Sequence, residues 1–412
     1  MHKCAVVFPG QGSQFVGMYK AMYDEYEIVR ETIQEAEQVT GIHLSELSFR
    51  GPLSILAKAE HAHVAIVAFG VAAFRVFVSE TGITPQFCAG HSLGEYSALA
   101  SAGVLKFSDA LKLVQLRCEI STEIQQASDG GMTIVDGIEA AFVQEICRQQ
   151  RLKGKKVYVS CFNSATQCAI SGINADLVDT EGILLEHEAT VSPLFLSAPY
   201  HCPIMEQGIG KLRDAISRME LGDFRYPVMS NCTGKPYYSN RCVEENLIQH
   251  LIRPVKWNSI IQYFEEKGIK FVVDFSARNI FEGILGEHPT LQTICFGVRE
   301  ERDAALRLFQ GPEFGPNKSA LISKCMLAAV STPNRNFDEE NYIAGVVRSY
   351  QQLVDINTAL EKGEIKYSQE VKRDILRLLK KILETKKLSL REQEQWFQQI
   401  LDETGANYQG II

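Results

Sequence analysis

Between residues 86 and 103 the chain reads as a strand, a glycine-flanked serine and a helix. Gln86-Phe87-Cys88-Ala89 is short and mostly apolar. It runs into Gly90-His91-Ser92-Leu93-Gly94, a GxSxG sequence. A helix-like run follows and closes at Gly103, which predicts a C-cap. A serine on so tight a turn projects its hydroxyl above a sheet, and flanking side chains would block the turn, hence the glycines. The other segments agree with a mostly parallel α/β sheet. Ala5-Val6-Val7-Phe8 is an apolar strand stopped by Pro9-Gly10, and Tyr226 to Ser230 and Phe271 to Phe275 read as further strands. Helical patterns reach about Arg50, where Gly51-Pro52 interrupts them. His61 to about Ser79 is apolar nearly all round and predicts a buried helix. No apolar run reads as the roughly 18 residues of a membrane helix, so no membrane partner is expected.

The texture changes from Gly130 to about Ser197. Met132 to Val135 reads as a strand and Ala140 to Gln150 as a helix. Val157 to Phe162 and Gln167 to Ser171 form a hairpin pattern around Asn163-Ser164-Ala165-Thr166, and a further helix and strand follow, the last at Val191 to Leu196. This βαββαβ order is ferredoxin-like. Gly311 to Lys318 is a Gly/Pro-rich break. Beyond it Cys325 to Val330 is apolar. Val346, Tyr350 and Leu353, then Val371, Ile375, Leu378, Leu379, Ile382 and Leu383, keep helical spacing. Ser389 with Glu392 is a capping-box pattern opening a helix that carries Trp396, Phe397, Ile400 and Leu401. The expected organisation is a large α/β domain over 1–129 and 198–310, a ferredoxin-like subdomain over 130–197, and a linker with a helical extension over 311–412.

Composition excludes several classes. A 45% hydrophobic, 22% charged chain of 412 residues has ample core and is not a disordered one. The net charge of −8 gives nucleic acid no electrostatic attraction. Eleven scattered cysteines never form a CxxC pair, and Met1-His2-Lys3-Cys4 leads directly into a strand without a signal-peptide pattern. Reduced thiols in a cytoplasm are therefore expected, with no disulfide framework and no metal site.

Ser92 needs a base to act as a nucleophile, and the helix that follows it offers free N–H groups to a developing oxyanion. His201, in Ser197-Ala198-Pro199-Tyr200-His201, follows a strand-like run, where a catalytic base is well placed. The glycine-rich turn Phe8-Pro9-Gly10-Gln11-Gly12-Ser13-Gln14 can add backbone N–H groups to an anion hole, or be a plain βα turn. Arg117 lies in the helical stretch Leu111 to Ile120, whose other residues are mostly apolar. It must snorkel, pair with an acid, or meet a substrate carboxylate. No phosphate-loop or dinucleotide fingerprint is present.

FPGQGSQ, GHSLGEYSAL around Ser92, Leu116-Arg117 and His201 together resemble the malonyl-CoA:acyl-carrier-protein acyltransferases of fatty-acid and polyketide synthases, from about residue 4 to 300. The resemblance implies an α/β-hydrolase-like large domain with a ferredoxin-like subdomain. It implies a Ser92/His201 dyad, an oxyanion hole of the Gln11 and Leu93 backbone N–H groups, and Arg117 on the malonyl carboxylate. The substrate is then a malonyl-type thioester of CoA or of a carrier protein. The acceptor is the phosphopantetheine thiol of an acyl carrier protein, and no permanently bound cofactor is needed. Three positions depart from the family pattern. His63 stands where a pocket Gln is usual, and His250 where a Gln supports the catalytic His through its carbonyl. Phe275-Ser276-Ala277-Arg278 replaces the usual V-G-P-G. The tail, with Asn334-Arg335-Asn336-Phe337-Asp338, Tyr342 and Gly345-Val346-Val347, resembles the extension of discrete acyltransferases serving bacterial polyketide or hybrid peptide–polyketide synthases.

In that family the residue before the catalytic His lies beside the acyl α-carbon. Tyr200 is therefore expected to exclude a methyl branch, and its O–H to offer a hydrogen bond to a small polar substituent. Other readings are an acyl hydrolase of the same fold, a non-catalytic carrier-docking protein, and a true α/β-hydrolase with Asp176 or Asp179 as triad acid.

Overall fold

The computed structural model describes residues 3–194, 197–310, 318–365 and 367–404. They fall into two compact units. One comprises His2–Val76 and Pro85–Ala305, and the other Phe77–Thr84 with Leu306–Ile412.

The first unit is an α/β structure with two four-stranded sheets. Strands β1 (Lys3–Phe8), β2 (Phe87–Gly90), β7 (Ile269–Asp274) and β8 (Gln292–Cys295) form a parallel sheet in the order β2-β1-β7-β8. The run Cys4 to Phe8 is buried throughout because β1 is a central strand covered on both faces. In register, Val7 lies between Ala89 and Asp274, so the C-terminal ends of β1, β2 and β7 meet at one edge. β8 carries no clear alternation and was not expected. Tyr226 to Ser230 is not a full strand. Val228 and Met229 make isolated bridges to Cys88 and Pro236, because Pro227 and Pro236 lack the N–H groups that would extend the ladder. The helix Ala59–Thr81 is long and apolar enough to cross a membrane by composition, which corrects the sequence reading. Most of its apolar stretch is buried inside the protein, and that accounts for its composition.

The second sheet consists of β3 (Gly130–Asp136), β4 (Val157–Phe162), β5 (Gln167–Ile173) and β6 (Thr190–Pro193), antiparallel in the order β4-β5-β3-β6. Phe195 and Leu196, the end of the expected last strand, lie outside the described residues. Helices Ala140–Leu152 and Asn174–Glu186 bring Val143, Cys147, Leu177 and Leu184 into one core with Val135, Val157 and Ile170 of the strands. Alternation along the strands sends Met132, Ile134, Cys161 and Ala169 to a cavity instead.

In the second unit, helices Lys318–Ser331, Arg348–Glu361, Gln369–Thr385 and Leu390–Thr404 share a core of Ile322, Leu353, Ile375, Leu379, Ile382 and Phe397. Most of the expected break, Gly311 to Asn317, lies outside the described residues. The capping box is present: Glu392 accepts from the Ser389 N–H at 2.8 Å, and Ser389 Oγ accepts from the Glu392 N–H at 3.4 Å. The tail motif is structural in this unit. Arg335 pairs with both oxygens of Glu392, and a Cβ on Gly345 would come 2.2 Å from Thr385 Oγ1. Buried Lys386 donates to the carbonyls of Ala329 and Thr332, satisfying the end of Lys318–Ser331.

Candidate active site

The turn after β2 places Ser92 at the sheet edge with φ 49, a left-handed backbone that raises its side chain out of the turn. The steric argument for the glycines holds. A Cβ on Gly90 would lie 1.9 Å from the Gly94 carbonyl, and one on Gly94 would lie 2.3 Å from the Phe8 carbonyl oxygen. Helix Gly94–Ser101 begins immediately, with Leu93 as its N-cap.

His201 is also left-handed, at φ 61, and buried. Its Nε2 is 2.6 Å from Ser92 Oγ and its Nδ1 is 2.7 Å from the His250 carbonyl. A carbonyl only accepts, so Nδ1 carries the proton and Nε2 presents its lone pair to the serine O–H. Burial, then the charge of Arg117, hold the imidazole down to about 3, so it is neutral. The Ser92 N–H donates to Asn231 Oδ1 at 2.8 Å, and Asn231 Nδ2 donates to the Gly90 carbonyl at 2.7 Å. The side chain of Asn231 thereby clamps the turn.

Arg117 projects from helix Phe107–Ser128 and is buried. Its Nη2 donates to Ser92 Oγ at 3.3 Å, and its guanidinium lies 4.1 Å over the Tyr200 ring. It therefore does not snorkel to solvent and, among the described residues, pairs with no acid. The Tyr200 O–H donates to Ser121 Oγ at 2.6 Å, so its proton is committed inside the protein while its ring lines the cavity. His63 is buried, and its Nε2 is 3.0 Å from Gln11 Oε1. Burial and then the charge of Arg117 hold it down to about 3.

These groups open onto a cavity of about 600 Å³. Gln11, Ser92, Leu93, Arg117, Tyr200 and His201 line it directly, and the inner sheet contributes Met132, Ile134, Cys161 and Ala169. His63 and His250 stand behind the lining: neither borders the cavity, and each reaches the site through a neighbour. A triad with Asp176 or Asp179 is not formed. Asp176 accepts from the Lys156 N–H, Asp179 pairs with Lys155, and His201 Nδ1 is already bonded to a carbonyl.

Sequence reasoning missed a buried network behind the turn. Glu95 accepts from the Tyr237 O–H at 2.5 Å and from the Asn231 N–H, and lies 3.6 Å from His250 Nδ1. Burial pushes its carboxyl up to about 8, against the lowering effect of those hydrogen bonds. An acid within the apolar helix Gly94–Ser101 was the available signal. Asn163, which accepts from His91 at 2.8 Å, and Asn231 gave none, because their partners are distant in sequence.

Ser92 Oγ and His201 Nε2 thus meet at one wall of the cavity, and the chain belongs to the acyl transferase domain family, whose profile matches residues 5–287. Among its relatives is a malonyl CoA-acyl carrier protein transacylase of Bacillus subtilis. That protein is 30% identical over 400 residues, which is 95% of this chain and 99% of the relative, so the likeness extends into the C-terminal helices. The crystal structure of a malonyl-CoA:acyl carrier protein transacylase from Xanthomonas oryzae aligns with TM-score 0.72 and 31% identity, over 75% of this chain and 98% of that one. A type II polyketide-synthase acyl-carrier protein in complex with its malonyl-transacylase aligns with TM-score 0.71 and 30% identity, over 74% of this chain and 99% of that one.

Proposed function

We propose that the protein moves a malonyl-type group from CoA to the phosphopantetheine thiol of an acyl carrier protein, through an ester on Ser92. The observation that carries this is the 2.6 Å contact of Ser92 Oγ with a neutral His201, with Arg117 Nη2 3.3 Å from the same oxygen. His201 Nε2 takes the Ser92 proton as Oγ attacks the thioester carbonyl. The oxyanion rests on the backbone N–H groups of Gln11 and Leu93. It collapses with cleavage of the C–S bond, and the CoA thiolate takes the proton from His201. The carrier thiol then enters, His201 accepts its proton, and sulfur attacks the ester. Ser92 leaves with that proton restored. Arg117 holds the free carboxylate as a charge-assisted fork. His250 fixes the His201 tautomer through its carbonyl, and His63 fixes the Gln11 side chain. Malonyl-CoA is substrate, and the chemistry calls on no permanently bound cofactor.

On the same reading the large domain over 1–129 and 198–310 is α/β-hydrolase-like and the subdomain over 130–197 is ferredoxin-like, which its strand order supports. Residues 311–412 form the extension, and the place of action is the cytoplasm. Intact-mass measurement after mixing with malonyl-CoA tests the proposal. A malonyl adduct on wild type that is absent from Ser92→Ala and discharges to holo carrier protein is expected. An adduct that persists in Ser92→Ala, or that discharges to water as fast as to the carrier, would refute it.

A further inference from the structure

Resting on that transfer reading, we infer that Arg278 holds the phosphate of the phosphopantetheine arm at the mouth of the Ser92 cavity. The loop in question departs from the family pattern. Three of its residues are pinned inside the protein. The Phe275 N–H donates to the Val7 carbonyl at 2.9 Å, and the Tyr19 O–H donates to the Phe275 carbonyl at 2.5 Å. The Ser276 N–H donates to Asp274 Oδ1 at 2.7 Å and its hydroxyl to Asp274 Oδ2. Phe275, Ser276 and Ala277 are all buried, and Arg278 alone emerges. A rigid base thus presents one exposed guanidinium.

That guanidinium stands at the cavity. Its Nη2 donates to the Gly12 carbonyl at 3.0 Å, and it lies 5.6 Å over the Phe15 ring. Gly12, which Arg278 touches, and Ile280, two residues further along the chain, both line the cavity. Exposed Lys58 directly follows another lining residue, Ala57. The carboxylate of Glu301 is engaged by Asn279 and by the Cys295 N–H. A thioester reaching Ser92 must leave its charged phosphate outside an enclosure walled partly by Met132, Ile134, Leu194 and Ile280. An arginine is the side chain suited to a phosphate there, because its planar fork donates two parallel hydrogen bonds. Coenzyme A and the carrier protein share this phosphate, so one contact serves both half-reactions.

The full-length protein and its Arg278→Gln and Arg278→Lys variants would be compared on malonyl-pantetheine, malonyl-4′-phosphopantetheine and malonyl-CoA. The acceptor half would use limiting holo carrier protein. For Arg278→Gln, kcat/KM is expected to fall about tenfold or more with both phosphorylated donors, mainly through KM. It should be unchanged with malonyl-pantetheine, which lacks the phosphate and serves as the internal control for folding. Transfer to holo carrier should fall likewise, and Arg278→Lys should recover part of each loss. Equal effects on phosphorylated and unphosphorylated donors would overturn the inference. So would a loss confined to malonyl-CoA, because the contact would then lie with its nucleotide, or a loss confined to either half-reaction. A wild-type protein that forms no malonyl-Ser92 from any donor would sink the transfer reading and this inference with it.

Discussion

Replacing Arg117 by alanine separates substrate class from catalytic competence. The guanidinium is buried, stacked 4.1 Å over Tyr200 and 3.3 Å from Ser92 Oγ. A malonyl carboxylate brought into this cavity is desolvated, so its partner's loss costs more than a surface pair would. A charge-assisted hydrogen bond contributes about 1.5–3 kcal/mol, and leaving the other charge buried and unpaired brings the cost of truncation to about 2–5 kcal/mol. At 1.4 kcal/mol per factor of ten, malonyl transfer should fall by between about 30-fold and several thousand-fold. Acetyl transfer has no carboxylate to lose. Removing the cation also removes one cause of His201's depressed pKa, which makes the base stronger. Burst-phase acylation of Ser92 with malonyl-CoA and acetyl-CoA, read by rapid quench and intact mass, gives the two rate constants directly. Their ratio should move towards acetyl by at least the factor of 30 given by the lower bound. If both constants fall by the same factor, Arg117 does not hold the carboxylate and its role is confined to the serine and the Tyr200 ring.

His201→Ala should slow acylation by roughly two to four orders of magnitude, measured by the same burst. Because the folded imidazole is held to about 3, it stays a base as pH falls through the usual histidine value. The acid limb of kcat/KM should therefore lie well below 6.5, and a limb at the ordinary value would refute the assigned environment. Glu95 has a folded pKa raised from 4.5 to about 8, so its contribution to stability is full below 4.5 and is lost as pH rises through about 8. Glu95→Gln should flatten that alkaline loss in melting curves taken across the interval. Lys386→Met strands the buried carbonyls of Ala329 and Thr332, and should destabilise the C-terminal unit by about 1–3 kcal/mol in urea unfolding.

Much of the fold was legible because its signals are local. The β1 run, the GxSxG turn, the βαββαβ order and the capping box at Ser389 each lie within a few residues of chain. What escaped depends on distant partners. β8 is a four-residue edge strand that finds its place only beside β7. The Tyr226 to Ser230 segment has strand composition, but prolines on it and on its partner cut the pairing short. At the site, Ser92, His201 and Arg117 were readable as chemistry-bearing residues in informative settings. Asn231 was not, since its clamp joins residues 139 and 141 positions away. The expectation for Tyr200 was half legible: sequence gave the ring's bulk, whereas the direction of the O–H depends on Ser121, 79 residues earlier.

The left-handed backbones of Ser92 and His201 have a consequence for how this enzyme responds to selection. A non-glycine residue in that conformation costs of order 1–3 kcal/mol, and glycine relieves it at little steric expense. Ser92→Gly should melt at or above the wild-type temperature while abolishing turnover, whereas His201→Gly also empties a buried site and strands the His250 carbonyl, so it should melt lower. A library screened for solubility or thermal tolerance alone would then drift towards glycine at φ 49, discarding the proposed nucleophile. Directed evolution of this scaffold therefore has to couple every round of stabilisation to an activity readout, because at Ser92 stability and reactivity pull in opposite directions.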